Sequence, residues 1–272
     1  MLKDITLGQY FPGNSVFHRL DPRMKLVGMI LFVVVVFFAQ SLLAYAFLLA
    51  GVLGACLLSR IPLRVILKGL KPVLFIAVFM GFLNLFFTVG QTLWLQIWIL
   101  RIYKEGVFQA LYIMIRLFCL VGGTSVLLTY TTSPNVLCDA IESLLSPLKK
   151  LHVPVHDFAM MMTIALRFVP TLIEETDKII SAQKARGANF ESGSLLRRAK
   201  ALLPVLIPLL VSAIRRASEL AVAMECRCYV GGQGRTKLRV MHLSWRDWVF
   251  VLLTIGFGAA LVILSSFRLW GV

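Results

Sequence analysis

The run from Leu26 to Leu58 constrains this chain most: about 33 residues without a charge, interrupted only by Gln40-Ser41. As a single α-helix it would reach roughly 50 Å, against a bilayer hydrocarbon core of about 30 Å. That is too long for one span and short for two full ones. The segment therefore reads as two short spans joined by a tight turn near Gln40. Three further apolar segments follow, at about 73–90 with Pro72 in its first turn, at about 107–129, and at about 247–266 with Trp245 and Trp248 as interfacial anchors. Hydrophobic residues make up 59% of the chain and charged residues 15%, where a soluble domain carries about 25% charged residues. The expected fold is an all-α integral membrane protein with about five transmembrane helices.

The 28 Lys and Arg against 13 Asp and Glu leave a net charge of +15. In a chain this apolar, that excess marks cytoplasmic loops and anionic lipid headgroups rather than nucleic acid. Lys3, Arg19, Arg23 and Lys25 precede the first span, and Arg60, Arg64, Lys68 and Lys71 follow the second. The 90–106 connection carries only Arg101 and Lys104 and reads as an aromatic interfacial loop. The N-terminus is accordingly expected in the cytoplasm, in the cell membrane of a prokaryote. The opening residues lack an apolar core with a cleavage site, so no signal peptide is expected. The five cysteines are scattered and show neither a disulfide framework nor zinc spacing.

Between the fourth and last spans lies a block that is helical rather than loop-like. Ser133-Pro134 opens a first helix to Leu148, with Ser133 as its cap. A second runs from about Val155 to Ala185, with Phe158, Met161, Met162, Phe168 and Leu172 on one side and Glu174, Glu175, Asp177 and Lys178 at its exposed end. A third runs from about Ser194 to Cys226 around the uncharged core ALLPVLIPLLVSAI, which is short for a span and suggests a helix near the interface plane, bent at Pro204 and Pro208. Each long helix ends on an arginine: Ala185-Arg186-Gly187 after the second, Cys226-Arg227-Cys228 after the third.

Three features, in order, resemble the transmembrane coupling subunit, or T component, of energy-coupling factor transporters. They are LGQYFPGNSVFHRLDPRMKL near the start, RLFCLVGGTSVLLTYTTSPNVLCDAIESLLSPL at 116–148, and the two arginine motifs. The resemblance covers about residues 5–265. It implies a non-catalytic subunit that joins two ATP-binding-cassette ATPases, a homo- or heterodimer, to a small substrate-binding membrane protein, the S component, either one dedicated or several exchanged. ATP and Mg would be bound by the partner ATPases, with no cofactor or metal on this chain. The organisation implied is an N-terminal segment with four spans over 1–130, a cytoplasmic coupling-helix region over 131–246, and a last span with a short tail over 247–272. Cargo would be a vitamin or micronutrient, released as the S component topples in the membrane, and the LGQYFPG opening leans toward a module shared among several S components.

Carried over by residue, Ala185, Arg186 and Gly187 match the first docking motif. Arg227 matches the second, but Cys226 and Cys228 stand where the family has a small residue and glycine. A left-handed cap at Cys228 would carry a steric cost. The chemistry suits docking, because a guanidinium is a planar fork of five donors that pairs bidentately with carboxylates. The plainer alternative is an arginine facing a helix dipole or lipid headgroups. Glu225, Arg116, Asp21 and Lys25 are candidate structural or coupling residues. Arg116 lies within the fourth span and calls for a partner, either a backbone carbonyl or Asn84. Asp21 and Lys25 have i, i+4 spacing, with helix capping as the simpler role. His152 and His156 read as linker, and GGQGRTK at 231–237 misses the phosphate-loop spacing. Two other classes compete: an intramembrane enzyme, for which the interiors of the spans lack His, Asp and Glu, and a conventional permease that binds its own substrate in a polar midplane cavity.

Overall fold

The computed structural model describes residues 10–88, 93–97, 100–188, 190, 195–231 and 241–266. Its helices are α1 Pro22–Phe37, α2 Leu42–Ser59, α3 Leu63–Phe87, α4 Lys104–Thr124, α5 Pro134–Leu144, α6 Val155–Ala185, α7 Leu195–Cys226 and α8 Trp245–Ser266. They fall into two compact units. One comprises Gly8–Ala140 with Val240–Val272, the other is built from Ile141–Arg239, and the boundary lies within α5.

In the first unit, α3 packs on α4, α1 on α8, and α2 on both α4 and α8. The expected break near Gln40 is where α1 gives way to α2. Asp21 caps α1 by accepting the Arg23 N–H at 2.9 Å, with Pro22 in the first helical position. Ser41 caps α2 by accepting the Ala44 N–H, and its hydroxyl donates to the Leu264 carbonyl of α8 at 2.9 Å. Val36, Ala39, Ala44, Leu48 and Leu261 are fully buried at the centre. Close packing of α1 on α8 depends on Gly28, where a Cβ would come within 2.4 Å of the Phe250 ring. Outward-facing residues such as Phe75, Phe79, Phe82 and Phe87 on α3 are exposed, as lipid-facing side chains are.

Two expectations are corrected here. The third span does not start at Pro72. α3 begins at Leu63, with Pro62 as its cap residue, and Pro72 lies inside it. An interior proline costs about 3 kcal/mol through its missing N–H. Ile66 is buried in the core, with Val65 and Leu70 packed against it, and this packing holds the extra turns in place. The 90–106 connection is also not a plain loop: β1 Leu93–Ile97 pairs antiparallel with β2 Leu100–Tyr103. Residues 98–99 between them lie outside the described set. The fourth span departs in detail, since α4 passes into a π-helical turn over Ser125–Thr129 with Tyr130 N–H bonded to the Ser125 carbonyl.

In the second unit, α5 stops at Leu144 and a 3-10 turn covers Ser146–Leu151. α6 matches the expected bounds, and α7 runs unbroken through Pro204 and Pro208. Gln183 lies by Pro204, while Glu175 meets Ser212 and Arg216. Contacts that climb one helix while descending the other make α6 and α7 an antiparallel pair. Among the described residues, five helices are long and apolar enough to cross a membrane: α2, α3, α4 with its π turn, α7 from Lys200, and α8. The number agrees with expectation but the membership differs, because α7 qualifies while α1 has only 16 residues.

Candidate functional site

The two long helices of the Ile141–Arg239 unit end in the same backbone device. At the end of α6, Gly187 N–H donates to the Lys184 carbonyl (3.0 Å) and Ala188 N–H to the Gln183 carbonyl (3.0 Å). At the end of α7, Cys228 N–H donates to the Glu225 carbonyl (2.9 Å) and Tyr229 N–H to the Met224 carbonyl (3.1 Å). This pair of bonds is a Schellman cap, whose closing residue must be left-handed. Gly187 has φ +87° and Cys228 φ +55°. The steric cost anticipated for Cys228 is therefore present, while Gly187 adopts the same region without one.

Arg186 and Arg227 are the cap residues themselves, each directly before the left-handed position. Both side chains are exposed, as are Ala185, Gly187, Glu225, Cys226 and Cys228. Neither guanidinium has a hydrogen-bond or ion-pair partner among the described residues. Because α6 and α7 are antiparallel, the arginines point from opposite ends of the pair. From Pro204, which faces Gln183 near the α6 end, α7 continues 22 residues to Cys226, roughly 33 Å at 1.5 Å per residue. Two groups so far apart cannot share one pocket.

The pair is held between these ends by Glu175. It accepts from the Ser212 hydroxyl and from Arg216, whose Nη2 lies at 2.9 Å. The carboxyl is held below its usual range chiefly by the Ser212 hydrogen bond, with desolvation opposing and the Arg216 charge and hydrogen bond adding to it. Glu175 was expected among the exposed charges; it joins the two helices instead. Arg215 pairs with Glu219 at 3.1 Å on the exposed face, a pair worth little to stability. His156, expected as linker, bonds the buried Glu142 at 3.0 Å through Nδ1.

Asp21 and Lys25 belong to a buried node of the other unit. Lys25 is 1% exposed, and its Nζ donates to the Thr131 carbonyl (3.1 Å) and the Thr132 hydroxyl (3.2 Å). No Asp21–Lys25 ion pair forms; Asp21 serves as cap. Asp21 N–H donates to Asp247 Oδ1 and Ser244 N–H to Asp247 Oδ2, both at 2.7 Å, and Asp247 is 1% exposed. Asp247 was not foreseen. The signal was present in Ser244-Trp245-Arg246-Asp247, a serine followed three residues later by an acid, which is the capping-box pattern.

Arg116 donates to the Ala39 carbonyl at 3.0 Å and to the Tyr45 hydroxyl. Its guanidinium also lies over the Phe37 and Tyr45 rings at 6.0 and 5.7 Å. It ties down the α1–α2 turn, so the carbonyl alternative is the observed one. Asn84 bonds the Met80 carbonyl of its own helix instead. Beyond Gly231, the 231–237 link lies outside the described residues, as do residues 1–9 of the N-terminal motif.

Residues 13–238 match the CbiQ family, described as cobalt transport protein. Among curated proteins, the chain is 52% identical over 255 residues to the "energy-coupling factor transporter transmembrane protein EcfT" of Brevibacillus brevis, covering 94% of this chain and 96% of that one. It is 50% identical over 258 residues to the protein of the same name from Ruminiclostridium cellulolyticum, covering 94% and 96%. The Bacillus subtilis protein of that name is 46% identical over 266 residues, covering 98% and 100%.

Proposed function

The chain belongs to the CbiQ family as an EcfT-type transmembrane component of an energy-coupling factor transporter, and from that membership we propose that Arg186 and Arg227 are the points through which two partner ATPases drive it. The observation that carries this reading is the matched pair of exposed, unpartnered arginines on identical caps at opposite ends of α6 and α7. Each cap fixes the backbone that carries the arginine, and the guanidinium offers a bidentate donor fork to an acidic groove. Small neighbours at Ala185 and Gly187 allow close approach at one end; Cys226 is small enough to do the same at the other.

In this reading ATP and Mg are bound by the ATPases, and this subunit transmits their movement to a substrate-binding membrane protein that carries a vitamin or micronutrient. The exposed stripe Leu203, Leu206, Ile207, Leu210 and Ile214 of α7, at helical spacing, suits such an apolar partner. The protein would sit in the cell membrane with its N-terminus in the cytoplasm, by the distribution of Arg and Lys.

The test is mild-detergent co-purification of the tagged protein, comparing wild type with Arg186→Glu, Arg227→Glu and the double variant. Each single change is expected to weaken ATPase recovery by roughly 30-fold or more, as for a central interface arginine, and the double variant should recover none while still inserting in the membrane. Full recovery by the double variant would sink the docking role. Stoichiometric vitamin binding by the purified subunit alone, in calorimetry, would favour a permease that binds its own substrate.

A further inference from the structure

Away from the arginine caps, three other arginines converge at one end of the Gly8–Ala140 and Val240–Val272 unit. Arg19 ends the short turn Phe17–Arg19, Arg60 closes α2, and Arg246 lies in the first turn of α8. They line a cavity of about 720 Å³ together with Asn14, Ser15 and Leu57. Among the described residues no carboxylate lines it, and none of the three guanidiniums has a hydrogen-bond or ion-pair partner. Like charges gathered from three distant segments repel one another unless an anion is bound among them. Arg60 is also left-handed, at φ 54° and ψ 25°, where glycine or asparagine would be less strained. A strained, cationic residue facing a cavity is the kind of outlier found at binding sites.

The cavity is half apolar. Val16, Leu57 and Leu58 stand exposed at its wall. Leu58 also lines an adjoining groove of about 740 Å³ between α2 and α8, whose other walls include Phe47, Gly54, Leu253, Gly256 and Phe257. The groove has almost no polar lining, and at Gly54 and Gly256 no atom lies within 4 Å of where a Cβ would stand, so both positions open onto free space. α2 and α8 are both long and apolar enough to cross a membrane. An arginine cluster that opens onto an apolar groove between two such helices has the two chemistries of one amphipathic ligand.

We infer that this unit holds one anionic phospholipid, its phosphate bound by Arg19, Arg60 and Arg246 and an acyl chain lying along the glycine-opened α2–α8 groove. Guanidinium forks pair bidentately with phosphate oxygens, and each cation at the membrane surface adds to the attraction for anionic lipid. A nucleotide or an acidic peptide would use the arginines but leave the groove empty. The inference does not depend on the docking role of Arg186 and Arg227.

The experiment is native mass spectrometry and thermal unfolding of the full chain in neutral detergent, with phosphatidylglycerol, phosphatidylcholine, glycerol 3-phosphate or an oligoglutamate peptide added. One phosphatidylglycerol per chain and a raised unfolding midpoint are expected, with no comparable effect from the other three. Arg19→Gln with Arg60→Asn and Arg246→Gln should weaken retention by roughly a hundredfold. Gly54→Leu, which keeps every arginine and has room for its side chain, should weaken retention of phosphatidylglycerol while leaving the fold intact. Equal retention of phosphatidylglycerol by both variants would overturn the site. So would equal stabilisation by phosphatidylcholine, which removes the charge requirement. Glycerol 3-phosphate or oligoglutamate matching phosphatidylglycerol would also overturn it, since the acyl chain would then have no part.

Discussion

Gly187 and Cys228 occupy equivalent positions in two identical caps and differ in what that position costs them. A residue with a Cβ is less stable in the left-handed region by roughly 1–2 kcal/mol. Cys228→Gly should therefore stabilise the end of α7 by about 0.5–1 kcal/mol, after allowing for the freer unfolded chain. Gly187→Val should destabilise the end of α6 by at least about 1 kcal/mol. Amide hydrogen exchange over the last turn of each helix reads both, and equal protection in Cys228→Gly and wild type would argue against strain. Arg186 and Arg227 were legible because each stands at the end of a long stretch with apolar residues at helical spacing, and Gly187 marks the first of the two ends. Asp247 was not, although its capping-box spacing stood in plain view, because an acid beside an apolar run reads first as a boundary and its second bond reaches Asp21, 226 residues away. Arg116 was legible as a residue needing a partner. Its choice of the Ala39 carbonyl over Asn84 depends on how α1 turns into α2, which no local pattern encodes.

Among the described residues, the charged contact between α6 and α7 is Glu175 with Ser212 and Arg216. Glu175 has its pKa lowered in the folded pair by Ser212 and Arg216. A carboxyl with a depressed folded pKa contributes stability above its unfolded value of about 4.3 and loses it as pH falls through the folded value. The α6–α7 pair should therefore loosen only below about pH 4, and Glu175→Gln should remove that dependence. Limited proteolysis of the α6–α7 connection across pH 3–6 tests this; an unchanged acid dependence in the variant would exclude Glu175 as its origin. Arg216→Ala should weaken the same contact with no change at either terminal cap. The bounds of α6 and α7 were readable because apolar residues recur at helical spacing and each end is marked. The start of α3 was not, since Pro72 signals a beginning on its own and only the burial of Ile66 shows that a helix already stands before it. The β1–β2 hairpin was hidden for a related reason. Its aromatic and aliphatic residues suit an interfacial loop as well as they suit strands.

For the whole molecule, the buried node has the widest reach. Asp247 accepts two backbone N–H groups at 2.7 Å, and hydrogen bonds to a charged acceptor are each worth about 1.5–3 kcal/mol. Asp247→Ala leaves both donors without that acceptor, and a loss of roughly 3 kcal/mol or more is expected. Size-exclusion chromatography in detergent should show a large fall in monodisperse protein, whereas Asp247→Asn, with one acceptor oxygen left, should fall between. Wild-type behaviour in Asp247→Ala would mean that water replaces the carboxylate. The all-α membrane class and the family could be read from the sequence, because apolar run lengths and three ordered motifs carry them. The node could not, because it joins segments from the two extremes of the chain. Its bond from Asp21 to Asp247 also sets a timetable for synthesis. At 5–20 residues per second, roughly 11–45 seconds separate the translation of its two partners. Throughout that wait α1 is already made, but the amide at its mouth lacks its eventual acceptor. α8 is thus the helix that closes α1, and a chain cut short before Asp247 would leave the amide at the start of α1 without that acceptor.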